Sequence, residues 1–183
     1  MIQEIFDRNG IIADATTILN IWNEPGRYYH DIDHLNYMIS AIQKLNLGQS
    51  DEDLLIIAAV FHDIVYDAMK FDNEEKSAEF FMNCCKNKLD KRNLLIKQII
   101  LDTKSHKSNN WLSKVFCDID MDIVLKDYNT LLEWEEGIYN EYKGWGNEKY
   151  KEGRLQFLRS LPNKYPQNAG NLMKLIQYVE EKY

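Results

Sequence analysis

The hexapeptide HDIVYD, residues 62–67, closes the most apolar stretch of the chain, LLIIAAVF. Neutral imidazole nitrogen and carboxylate oxygen are both good ligands for a divalent cation. An ionised carboxylate buried without a partner costs several kcal/mol, and it then pairs or takes up a proton. His62 followed by Asp63 in so apolar a setting therefore calls for a positive charge nearby. A buried arginine would answer Asp63 alone, whereas a cation answers both residues. A hydrogen-bonded core histidine is the plainer alternative. Successive side chains on a helix diverge by about 100°, so the pair can straddle one ion, or its carboxylate can bridge two.

RYYHDIDHL, residues 27–35, places His30 and His34 four apart, which stacks them on one helical face. That face is distinct from the Ile32, Leu35, Ile39 and Ile42 stripe that should pack. Three of the four histidines of the chain fall in these two segments, more concentrated than surface histidines need be. A third segment, CDIDMD, alternates Asp118, Asp120 and Asp122 with apolar residues. It is no calcium hand, because Ile123 stands where that loop needs glycine and Asn129 where it needs glutamate. Acids in the first turn of a helix, favoured by the dipole, account for one or two of the three.

The elements that must hold these residues are helical. Three prolines, eight glycines and the near absence of Val/Thr-rich alternation define an all-α chain. The pattern predicts helices over Thr16 to Trp22 and its N-terminal neighbours, His30 to Leu45 and Glu52 to Tyr66. Further helices are expected after Asp72 or Asn73 as N-cap, then over Leu94 to Leu101, Ile119 to Trp134, Tyr150 to Leu161 and Gly170 to Glu181. Ser50 with Asp53 resembles a capping box, and Gly144 to Gly153 reads as a surface loop. LLIIAAVF is apolar all round and belongs at the centre of a helical bundle.

At 183 residues and 45% hydrophobic, the chain suits one compact domain spanning residues 1–183. A net charge of −7, with lysines scattered among acids, argues against nucleic acid as the main partner. No basic region precedes an apolar run in MIQEIFDRNG, and no segment approaches about 18 uninterrupted apolar residues. Cys84, Cys85 and Cys117 are odd in number and lack metal-knuckle spacing, which suits reduced thiols and a cytoplasmic location without membrane partners.

In this order RYYHDIDHL, AAVFHDIVYD, DNEEKSA, ILDTKSH, FCDIDMDI, YNEY and EGRLQFL resemble the HD-domain superfamily of metal-dependent phosphohydrolases, in particular a bacterial subfamily of predicted hydrolases. The likeness runs over nearly residues 12 to 175. It implies a single all-helical bundle with the metal set at its centre: His34, His62, Asp63 and an aspartate of CDIDMD, Asp120 first and Asp118 in reserve. YHDIDH is also similar to the YHNxxH segment of cyclic-nucleotide phosphodiesterases. That similarity implies His30 as the acid that protonates the leaving oxygen, with Asp31 in place of the asparagine.

Asp67 would hold a metal-bound water or close the surroundings of the site. Arg27, Lys104 and His106 would meet the substrate's phosphate, His106 alternatively a second metal. The subfamily's arginine before the EY of YNEY and its arginine before Asn171 are absent, Tyr139 or Asn140 and Gly170 standing there.

The expected function is hydrolysis of a phosphate ester or anhydride of a small molecule, a nucleotide first, at one or two ions of Mn, Mg, Co, Ni or Fe. A non-catalytic nucleotide sensor and a di-iron oxygenase are the alternatives on the same fold. A homodimer is compatible with the sequence.

Overall fold

The computed structural model describes residues 1–183 and is all-helical, with one isolated bridge between Ile11 and Cys85 instead of a sheet. The helices group into two compact units, Met1–Asp120 and Met121–Tyr183. No helix is long and apolar enough to cross a membrane.

The first unit contains α1 (Ile2–Asn9), α2 (Ala15–Ile21), α3 (Ile32–Lys44), α4 (Gln49–Phe61), α5 (Asn73–Asn83), α6 (Lys91–Asp102) and α7 (Trp111–Asp120). From Asp53 to Phe61 every residue of α4 is buried, and the helix packs against α1, α3, α5, α6 and α7. An all-round apolar surface can be satisfied only in the middle of a bundle, because each face needs a neighbour. Phe6, Leu35, Met38, Ile42, Phe81, Ile99 and Phe116, all fully buried, supply those neighbours.

Several boundaries differ from the sequence expectation. The N-terminal helical region is two helices: Gly10, left-handed at φ 69°, ends α1, and the Asp14 side chain caps α2 by accepting from Thr17 N. Helix α3 begins after His30, because Asp31 is its N-cap and accepts from the backbone N–H of Asp33 and His34. The expected capping box at Ser50 is absent. Gly48 caps α4, and Asp53 instead turns to α1, where Arg8 Nε and Nη2 donate to it at 2.6 and 2.5 Å. Helix α4 stops at Phe61, five residues short of Tyr66, so His62 and Asp63 lie in the turn that follows it.

In the second unit the expected helix over Ile119 to Trp134 is broken. Helix α7 ends at Asp120, a 3-10 segment covers Met121–Leu125, and α8 (Tyr128–Tyr142) starts at Asp127, whose side chain accepts from Asn129 N and Thr130 N. The expected loop over Gly144 to Gly153 is mostly helix: Gly146 (φ 79°) caps α9 (Asn147–Leu158), and Gly153 lies inside it. Short α10 (Leu161–Lys164) and α11 (Ala169–Lys182) follow. Leu131, Leu155, Leu158, Leu172, Leu175 and Val179 form this unit's core. Among them Glu135, fully buried, accepts from Arg154 Nε at 2.7 Å and Tyr150 Oη at 2.5 Å.

Candidate metal centre

Helix α4 delivers His62 and Asp63 at its C-terminal end, where a helix leaves four carbonyls without partners in its own backbone. Here each finds one. Ala58 O accepts from His62 N, Ala59 O from His62 Nδ1 at 2.9 Å, Val60 O from the indole of the fully buried Trp22 at 3.0 Å, and Phe61 O from Ile64 N. Just beyond, Arg27 donates to Asp63 O at 2.9 Å and Ile64 O at 3.1 Å. With Nδ1–H committed to Ala59 O, the neutral His62 ring carries its lone pair on Nε2.

That Nε2 faces other acceptors. It lies 3.3 Å from His34 Nε2, 3.0 Å from Asp63 Oδ2 and 3.7 Å from Asp120 Oδ1, and Asp120 Oδ1 is 3.2 Å from His34 Nε2. His34, His62 and Asp63 offer ligand atoms all within 4.8 Å of one another. His34 comes from the first turn of α3, and Asp120 from the last residue of α7. Imidazole nitrogens and carboxylate oxygens meeting in this way repel unless a cation lies among them, a proton or a metal ion.

The spacing suits a metal: ligand atoms bound at about 2.1 Å to a common ion stand roughly 3.0–3.4 Å apart in octahedral or tetrahedral geometry. The grouped donors are two imidazoles and one carboxylate, with Asp120 beside both imidazoles and no thiolate among them; such a set suits Mn, Fe, Co, Ni or Mg.

The electrostatics agree with a cation-seeking cluster. Burial opposes the charge on His62, yet Asp63, Asp120 and the Ala59 carbonyl outweigh it and raise its pKa to about 9. Burial pushes Asp63 and Asp120 upward, but the neighbouring histidines hold both carboxylates below their usual range. Asp120 sits at the negative end of α7, where the helix dipole disfavours an acid. The first-turn explanation offered for the CDIDMD acids therefore does not apply to it. Asp118, on the same last turn, is exposed, and its place in the cluster is taken by Asp120.

The rest of the expected residues divide. His106 joins the cluster: its Nε2 is 2.9 Å from Asp120 Oδ2, and it adopts left-handed backbone at φ 50°, a conformation that a non-glycine residue holds only at a cost and often at functional sites. The Asp102 side chain fixes the approach by accepting from the buried Ser113 hydroxyl at 2.6 Å, and its carbonyl accepts from His106 N. His30 stands beside the cluster, its ring stacked on Tyr66 at 4.4 Å, edge-on to Tyr29 and 5.9 Å from the His34 ring.

Lys104 reaches elsewhere, with Nζ 2.6 Å from both Phe71 O and Glu75 Oε1. Asp67 is exposed and accepts Met69 N in its own turn, where Asn73 brackets its backbone. Neither contact is with the cluster. Arg27, expected at the substrate, is seen donating to main-chain carbonyls.

Sequence reasoning missed Trp22 and Phe116, whose rings pack on His62 at centroid distances of 5.5 and 5.6 Å. An apolar aromatic in a helical pattern carries no mark of which side chain it will touch. Fold and site together define an all-helical protein in which two buried histidines meet two partly buried aspartates. Comparison with family models, curated proteins and solved structures yields no significant match.

Proposed function

We propose that this chain is a metal-dependent phosphohydrolase of the HD type, acting on a phosphate ester or anhydride of a small molecule, a nucleotide being the first class to try. The observation that carries the reading is the convergence of His34 Nε2, His62 Nε2 and Asp63 within 4.8 Å of one another, with Asp120 Oδ1 3.2 Å from His34 Nε2 and 3.7 Å from His62 Nε2. His34, His62, Asp63 and Asp120 would hold the ion, and His106 adds a fifth donor on the Asp120 side. A divalent ion bound there supplies Lewis acidity toward a phosphoryl oxygen and lowers the pKa of a coordinated water.

The chain's own residues do the remainder. His62 keeps Nε2 available because Ala59 O holds its other nitrogen, and His34 is fixed by its place in the capped first turn of α3. His30, stacked on Tyr66 and four residues before His34 in the segment that leads into α3, would hand a proton to a leaving oxygen from an imidazole nitrogen. Buried aromatic rings around His62 exclude bulk water, which strengthens each charge interaction within.

The test is phosphate release from a panel of nucleotides and a generic aryl phosphate with Mn²⁺, Co²⁺ or Mg²⁺, for wild type and Asp63→Ala side by side. Metal-dependent turnover that vanishes in the variant is expected. Stoichiometric metal without turnover would overturn hydrolysis in favour of a sensor or an oxygenase.

A further inference from the structure

The two segments that bring histidines to the centre are far apart in sequence and are tied by one side chain. Arg27 Nη1 donates at 2.9 Å to His30 O and at 2.9 Å to Asp63 O, while Nη2 donates at 3.1 Å to Ile64 O. The guanidinium lies 5.4 Å from the Trp22 ring centroid and 5.5 Å from that of Tyr66. Trp22 donates to the last turn of α4 and packs on His62, and Tyr66 stacks on His30. The same cation thus meets the backbone on the α3 side, the backbone on the α4 side and the rings that orient one histidine from each.

We propose that Arg27 is a positioning residue that sets the separation between His34 and the His62–Asp63 turn, and so the affinity of the centre for its metal, without touching substrate. The inference rests on the metal-centre reading above. A planar fork that bonds three carbonyls in two directions cannot be replaced by lysine, whose donors radiate from one point. A phosphate-binding arginine, the role expected from the sequence, would act differently. Its loss would weaken phosphate and leave the metal alone.

The experiment titrates Co²⁺ into wild type, Arg27→Lys, Arg27→Gln and His62→Ala, following the visible absorption of the bound ion, then titrates inorganic phosphate into the Co²⁺-loaded proteins. Unfolding midpoints with a chelator present establish that the variants are folded, and Arg27→Lys keeps the charge should Arg27→Gln fail to fold.

The expected result is a Co²⁺ affinity lower by about 10- to 100-fold in Arg27→Lys, the range found when partners that orient metal ligands are removed. An altered absorption band at saturating Co²⁺ and unchanged phosphate affinity should accompany it. A band shift at full occupancy reports ligand geometry, which a residue that only stabilises the fold would not move. Co²⁺ affinity in Arg27→Lys equal to wild type overturns the inference, and so does phosphate binding lost with metal binding intact. Tight Co²⁺ in wild type that disappears in His62→Ala means that the centre stands even where the Arg27 role falls. Wild type that binds no Co²⁺ overturns both.

Discussion

Replacing Asp53 by asparagine should produce a stability loss that depends on pH in a definite direction. The Asp53 carboxylate accepts four hydrogen bonds, from Arg8 Nε and Nη2, Asn9 Nδ2 and Gln49 Nε2, at 2.5 to 2.9 Å. Burial opposes its charge, but these donors prevail and hold its pKa at about 2 against an ordinary value of 3.8. At about 1.4 kcal/mol per unit the shift is worth at most about 2.5 kcal/mol. The side chain of Arg8 is 43% exposed, and solvent screening reduces that to about 1–2 kcal/mol.

Because the folded pKa is depressed, the contribution is complete above the unfolded-state pKa and disappears as pH falls through about 2. Asparagine keeps the shape but has one acceptor oxygen, and its amide group then meets donors. Urea unfolding followed by circular dichroism, on wild type and Asp53→Asn at several pH values from 5 downward, reads the difference. The gap should narrow by about 1–2 kcal/mol toward pH 2. A gap that stays constant or widens as pH falls would refute the argument, since it would mean that the carboxylate's charge contributes nothing.

Three more outcomes are expected. Mn²⁺ at about 100 times its dissociation constant should stabilise wild type by about 2.7 kcal/mol, or roughly 5–11 °C in unfolding midpoint for a chain of this length; Asp63→Asn should show no such shift in the same thermal scan. Trp22→Phe orphans the Val60 carbonyl and opens a void beside His62, and should cost about 2–4 kcal/mol in urea unfolding. In the second unit Glu135→Leu strands the buried Arg154 guanidinium and should cost about 3–5 kcal/mol, most of it regained in Glu135→Leu/Arg154→Met; a double variant no better than the single would show that the pair's geometry is not what limits stability there.

The part of the site legible in the sequence is the part that breaks a pattern. His62 and Asp63 end an apolar run, which marks them as needing a positive partner; His34 and Asp120 are implied by the family resemblance, and their side chains lie beside His62. The all-α class followed from the scarcity of proline, glycine and β-branched alternation. What escaped was set by contacts between distant segments. Asp53 has the spacing of a capping residue after Ser50, but Arg8, 45 positions earlier, offers a stronger partner than the backbone.

The contacts of Arg27 with main-chain carbonyls and of Lys104 with Glu75 likewise join segments that no local pattern links. One error was local: Asp127 with Asn129 and Thr130 after it is a helix start that the apolar run through Ile119 and Val124 obscured. Another was the loop expected over Gly144 to Gly153: Gly146 has the positive φ that demands glycine, whereas Gly153 lies within α9.

The position of α4 bears on how such a protein can change over generations. Every residue from Asp53 to Phe61 is buried and fitted to five neighbouring helices, so substitution along it disturbs several interfaces at once, and the helix that presents His62 and Asp63 has little freedom to drift. The start of α3 and the end of α7 are different: Asp33, Asn36, Tyr37 and Asp118 are exposed and flank the ligand positions without being locked into the core. On the proposed reading of a metal-dependent hydrolase, changes of metal preference or substrate range would accumulate at those two rims while the central pair stays fixed, and a mutant library aimed at altered chemistry should be spent there.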